Sequence, residues 1–162
     1  MADLGQQAFL FGRYAYEGSW YYFPLAFLIK TPLGSLLLIG AALLVFRASR
    51  TEEWRAALFL LGPVVVIFAA MTQSKVNIGV RHILPVYPLL FVFASRLATL
   101  HFRRSWVGLL LLGVPLVMTA FSSLKVAPHQ LAYFNEIVGG PEQGYRYLSD
   151  SNLDWGQGLK GL

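Results

Sequence analysis

The chain contains no cysteine. That excludes disulfides and thiolate metal sites, and it leaves the redox compartment undetermined. Charge is also scarce. Charged residues make up 13% of the 162 residues, where a soluble domain carries roughly 25%. A cleavable leader is not expected, because MADLGQQAF has no basic stretch followed by an apolar core. Internal repeats and low-complexity tracts are missing too. The net charge of +5 is scattered through short connecting stretches. It reads as information about orientation, not as a nucleic-acid surface.

What is abundant is apolar and aromatic. Hydrophobic residues reach 56%, aromatic residues 15%, and mean hydropathy is +0.56. This composition predicts an all-α, polytopic integral membrane protein. Four apolar segments supply the expected spans, at residues 21–46, 54–71, 83–100 and 106–121, within a transmembrane region 1–121. Each is near the length of about 20 residues that crosses a bilayer. The remainder, 122–162, is more polar and reads as a short outer tail, the start of a soluble segment, with GGP as a turn signal. Arg47, Arg50 and Arg55 separate the first two spans, Arg103 and Arg104 the last two, and Arg96 can snorkel toward the latter. The positive-inside rule places these two connections in the cytoplasm and the tail outside.

The first segment poses a question, because Lys30 sits inside an apolar run. As one straight helix, residues 21–46 would be about 39 Å long at 1.5 Å per residue. The hydrocarbon core is about 30 Å thick, so the outer end must emerge, tilt or bend, and Pro32 is a site for a bend. Lys30 would then lie near the outer rim. There it either snorkels to headgroups or faces a cavity and meets an anion such as a lipid phosphate. Tyr21 and Tyr22 either add hydroxyl donors or form part of an aromatic belt. A second outward cluster, SKVNIGVRHILPVYP, holds Lys75, Asn77, Arg81 and His82. These residues are either phosphate ligands or a solvated loop touching bulk phospholipid. In the tail, DSNLDWGQ carries Asp150 and Asp154. Acid–base or metal chemistry is one reading. The other is a helix N-cap at Asp150 or Ser151, with Asp154 in the first turn. His129 and Glu136 read as surface residues, and the fourth span reads as scaffold.

Three stretches, LFGRYAYEGSWYYFPLAFLIKTPL, NIGVRHILPVYPLLFV and LAYFNEIVGGPEQGYRYLSDSNLDWGQGL, together resemble the C-terminal part of bacterial membrane glycosyltransferases of the GT-C fold. These are polyprenyl-phosphate-dependent enzymes of the family-39-like branch, related to protein O-mannosyltransferases and the lipid A aminoarabinose transferase. The resemblance implies transfer of a sugar from a polyprenyl-phosphate carrier to a protein or lipid acceptor on the outer face of the bacterial inner membrane. Beyond that donor it implies no cofactor, and neither a metal site nor a nucleic-acid partner is expected. Lys30, Tyr21 and Tyr22 fall in the segment that borders the carrier cavity in that family. Arg81 and His82 stand where the family has Arg followed by an aromatic residue. With Lys75, these are the candidates for the carrier phosphate.

The family's catalytic carboxylate lies in an outer loop after its first span, and no residue here matches it; Glu17 is not promoted to that role. The catalytic residue is therefore unassigned. The expectation is of a fragment, inactive alone and partnered by a missing N-terminal half. The alternative is a non-enzymatic membrane subunit that binds lipid phosphate or supports transport, and a third possibility is a scaffold for a partner.

Overall fold

A computed structural model describes residues 8–15, 19–48, 54–74, 79–100, 105–148 and 152–153. Helix dominates. After a short hairpin, β1 (Ala8–Leu10) and β2 (Arg13–Ala15), come α1 (Tyr22–Lys30), α2 (Leu33–Ala48), α3 (Trp54–Thr72) and α4 (Val86–Ser95). The chain continues through α5 (Ser105–Gly108), a π turn at Leu109–Gly113 and α6 (Val114–Lys125). The last three run on as one helix. Short 3₁₀ turns precede α4 at Val80–Ile83, follow it at Arg96–Thr99, and build the tail at Gln130–Ala132, Glu136–Val138 and Pro141–Arg146.

Among the described residues the structure shows two to three of the four expected spans. Two helices there, Trp54–Thr72 and Trp106–Lys125, are long and apolar enough to cross a membrane, and a third span results if the bent pair α1 and α2 is taken as one. The third segment, Val86–Thr99, is apolar but shorter, because Pro85 and Pro88 draw its opening turns into a tighter, irregular start. Only 11% of each long window is buried within the protein. Leu58, Phe59, Leu109, Val117 and Phe121 all lie exposed. Apolar surface on this scale is compatible with a membrane as the surrounding medium.

The break in the first segment is sharp. The axes of α1 and α2 differ by 115°. Pro32 lacks an N–H and drives the preceding residue out of the helical region, and Thr31 is extended at φ −96°, ψ 132°. Its N–H still closes the last turn of α1 on the Phe27 carbonyl, while Leu36 N–H opens α2 on the Pro32 carbonyl. So α1 turns across the end of the bundle instead of lengthening the span. Pro63 sits inside α3 without ending it. Pro115 lies two residues past the π turn, whose wider ring relieves the clash that proline makes with the carbonyl four residues back.

Helix α2 packs against α4 and α6, and α3 against α4 and α1. Gly34 lets α2 approach α6 closely: a Cβ there would stand 2.0 Å from the Pro115 carbonyl oxygen. At the same end, Ser35 and Thr119 pair their hydroxyls at 3.2 Å. The hairpin turns at Phe11 (φ 50°) and Gly12 (φ 75°). Two positive φ angles match the right-handed twist of paired strands. Leu10 then bridges to Leu148, and Phe11 N–H donates to the Tyr147 carbonyl at 3.2 Å. The hairpin and the tail are thus joined at the α1 end of the bundle.

Candidate functional site

The C-terminal end of α1 leaves carbonyls without helical partners, and the tail supplies donors for them. Asn135 N–H donates to the Ile29 carbonyl at 2.9 Å. Its side-chain amide donates to the carbonyls of Leu28 (2.7 Å) and Thr31 (3.2 Å). This is a helix cap delivered from more than a hundred residues away. Asn135 is 1% exposed; its side-chain NH₂ is bonded in this way, while its Oδ1 is buried without a hydrogen-bond partner among the described residues.

Lys30 lies in the last turn of α1, where a cation suits the helix dipole. Its ammonium donates to the Leu131 and Asn152 carbonyls, each at 2.6 Å, and stands 4.2 Å from the centre of the Phe134 ring. The side chain is buried. Two carbonyl acceptors and a π face replace the water that a buried ammonium gives up. Lys30 therefore neither reaches out to headgroups nor lines an open cavity; it ties α1 to the tail.

Asn152 completes the junction. Its side-chain amide donates to the Tyr22 hydroxyl at 2.8 Å, and its side-chain carbonyl accepts the Val80 N–H at 3.0 Å. It is fully buried, as are Tyr22 and Phe134. One residue of the tail thus links both ends of α1 to the turn before α4. Replacing Tyr22 with Phe removes one hydrogen bond to a buried amide, worth about 1 kcal/mol. Thermal unfolding in detergent is expected to show a midpoint lower by about 2–4 °C. An unchanged midpoint would mean that this contact carries no net stability.

The remaining candidates divide. Arg81 is exposed and its Nε–H points to His82 Nε2 at a long 3.5 Å. His82 is half-buried and meets the Phe23 ring edge-on at 6.2 Å. Tyr21 is exposed and stacks edge-to-face with exposed Trp20 at 5.6 Å, an arrangement suited to a membrane–water boundary. The turn holding Arg81 and His82 packs on α1, so these two residues sit beside the Tyr22–Asn152–Lys30 junction while remaining at the surface. Lys75, Glu17, Asp150 and Asp154 lie outside the described residues. In the tail, Ser122 donates to Glu136 at 2.8 Å. Burial holds the Tyr133 phenol above its ordinary value, against a smaller opposing contact with Ser122 and with the Glu136 charge acting in the same sense. Among the described residues, no three His, Asp or Glu side chains gather as a metal site requires.

Asn135, Asn152, Leu131 and Phe134 were not singled out by sequence reasoning. The available clue was compositional: Asn135 directly follows Tyr133 and Phe134, and an amide beside a buried aromatic pair must find partners. Nothing local signalled that Leu131 and Asn152 would offer backbone carbonyls to Lys30. Compared with family models, with curated proteins and with solved structures, the chain finds no match.

Proposed function

We propose that this chain takes part in polyprenyl-phosphate-dependent glycosyl transfer at a bacterial inner membrane, forming part of the surface that receives the carrier phosphate. The observation that supports this reading is convergence. The three stretches that resemble membrane glycosyltransferases are far apart in sequence, yet Tyr22 and Lys30, Val80, and Leu131 and Asn152 meet in one hydrogen-bonded junction. Arg81 and His82 stand at its outer edge as the groups that reach solvent. Lys30 serves by holding the tail that frames this edge. The separation of charge supports a tail on the extracytoplasmic side: Arg47, Arg55 and Arg96 mark the opposite end of α2, α3 and α4. The acceptor is a protein or a lipid, and no residue here is assigned as the catalytic base.

The test is binding of a short polyprenyl phosphate to the purified chain in detergent. Replacing Arg81 with Gln is expected to weaken binding about fivefold, the contribution of one basic residue near an anionic surface. The loss should shrink at high salt, as for any exposed ion pair. Equal binding by the wild type and Arg81→Gln at low salt would sink the assignment.

A further inference from the structure

Helix α1 is apolar on every side. Of its nine residues, YFPLAFLIK, only Lys30 is charged, and its ammonium is turned into the junction with the tail. A helix that is apolar all round belongs in apolar surroundings all round. The protein supplies them on one face. Tyr22, Phe23, Ala26 and Ile29 are buried there. At about 100° per residue, Tyr21, Pro24, Leu25 and Leu28 fall on the opposite face. Tyr21 is 47% exposed and Leu28 51%, with Pro24 and Leu25 half-buried. Apart from the Tyr21 hydroxyl, no side chain on this face can bond to water. The tail, at the same end of the bundle, differs: His129, Gln130, Glu136, Glu142 and Arg146 are among its exposed residues.

Chain connectivity sets the depth of this face. Only Thr31 and Pro32 separate α1 from α2. Helix α2 has 16 residues, which is about 24 Å at 1.5 Å per residue, while the hydrocarbon core is about 30 Å thick. Arg47, in the last turn of α2, marks the inner boundary. The other end of α2 therefore stops short of the outer boundary. Helix α1 meets it at 115°, so α1 runs nearer the plane of the bilayer than its normal, at that boundary or just beneath it. The aromatic residues agree with this depth. Trp20 is 71% exposed and packs edge-to-face on Tyr21 at 5.6 Å, and such residues collect at headgroup level. Phe27 packs on Phe68 at 5.7 Å, which sets α1 beside the outer part of α3, a helix whose Val65 and Val66 are exposed.

We propose that α1 is an interfacial helix, with its Tyr21–Leu28 face laid into the boundary between headgroups and acyl chains of the leaflet on the tail side. Bilayer lipid is the partner of this face, and α1 is not the outer half of a span. The proposal rests on the reading that α2, α3 and α6 cross a membrane, and it is independent of any glycosyl transfer. It has a consequence for the neighbouring turn. That turn, with Arg81 and His82, packs on α1, so α1 would hold it near the level of lipid phosphates.

The experiment uses the whole chain, whose lack of cysteine lets one spin label be placed at a time. Leu28→Cys, Tyr21→Cys, Val65→Cys and Glu142→Cys are each at an exposed position, so a label there displaces little packing. The labelled proteins, checked against the unlabelled one by melting temperature, are reconstituted into vesicles of phosphatidylcholine and phosphatidylglycerol. Power saturation then reads collisions with oxygen, which concentrates among acyl chains, and with a neutral nickel chelate, which stays in water. Val65→Cys on α3 is the lipid reference and Glu142→Cys in the tail the water reference. Leu28→Cys is expected to match Val65→Cys, with frequent oxygen collisions and almost complete loss of the nickel collisions seen at Glu142→Cys. Tyr21→Cys, the second probe of the face, is expected to fall between the references. Nickel collisions at Val65→Cys as frequent as at Glu142→Cys would defeat the membrane reading and this proposal with it. With Val65→Cys in lipid, nickel access at Leu28→Cys equal to that at Glu142→Cys would place the face in water and overturn the interfacial helix alone. So would shielding of Leu28→Cys from both reagents, which would mean that a second copy or another protein covers it.

Discussion

Lys30→Met is expected to release the tail from α1. Methionine is close to lysine in length and suits a buried site, so the substitution tests the ammonium and little else. Its loss removes two charge-assisted hydrogen bonds, to Leu131 and Asn152, and the contact with the Phe134 ring. Hydrogen bonds from charged groups contribute about 1.5–3 kcal/mol each. The relief of no longer burying a charge offsets part of this, which leaves an expected net loss of about 2–4 kcal/mol. Limited proteolysis of the purified protein should show faster cleavage within residues 122–162, accompanied by a lower melting temperature. A tail as resistant as in the wild type would show that the ammonium is not what docks it. Asn135→Ala gives an independent comparison, because it loosens the same tail through the carbonyls of Leu28 and Thr31 without touching the cation.

The second large effect is expected from a single methyl group. In Gly34→Ala the new Cβ would stand 2.0 Å from the Pro115 carbonyl oxygen and 2.6 Å from Thr119 Oγ1. The first of these is backbone, so a rotamer change cannot relieve it, and α2 must move away from α6. Overpacking of this kind costs about 1–3 kcal/mol, occasionally more, and here the upper end is expected. Gly40→Ala in the same helix is the control. Its Cβ meets nothing within 4 Å, and alanine is the better helix former by about 1 kcal/mol. The two variants should therefore change the melting temperature in opposite directions. A Gly34→Ala protein as stable as Gly40→Ala would mean that α2 and α6 are not held at this distance. The Ser35–Thr119 hydroxyl pair, which lies beside the contact, should be lost with it.

Both results bear on one architectural fact. The two ends of this bundle do different things. At one end, polar groups buried among aromatic rings bind α1, the turn before α4 and the tail into one junction. At the other, arginines and a cleft between helices face the surroundings. The proposed role in receiving the carrier phosphate concerns the first end.

The sequence by itself determined the class of structure. Scarce charge and long apolar runs leave helices as the economical way to satisfy backbone groups away from water, and the helices at residues 54–72 and 106–125 follow those runs closely. Pro32 likewise announced the bend, because the restriction a proline places on itself and on its neighbour is local. The number of spans was less legible. Hydropathy adds up over a window and is indifferent to direction, so it merged α1 with α2 and lengthened α4. Only the tertiary structure decided what Lys30 does. A lysine in an apolar run signals that something must compensate the charge. Which partner compensates it depends on chain closure over more than a hundred residues, and here the acceptors are backbone carbonyls of Leu131 and Asn152. Every residue carries such a carbonyl, so side-chain identity could not mark these two in advance.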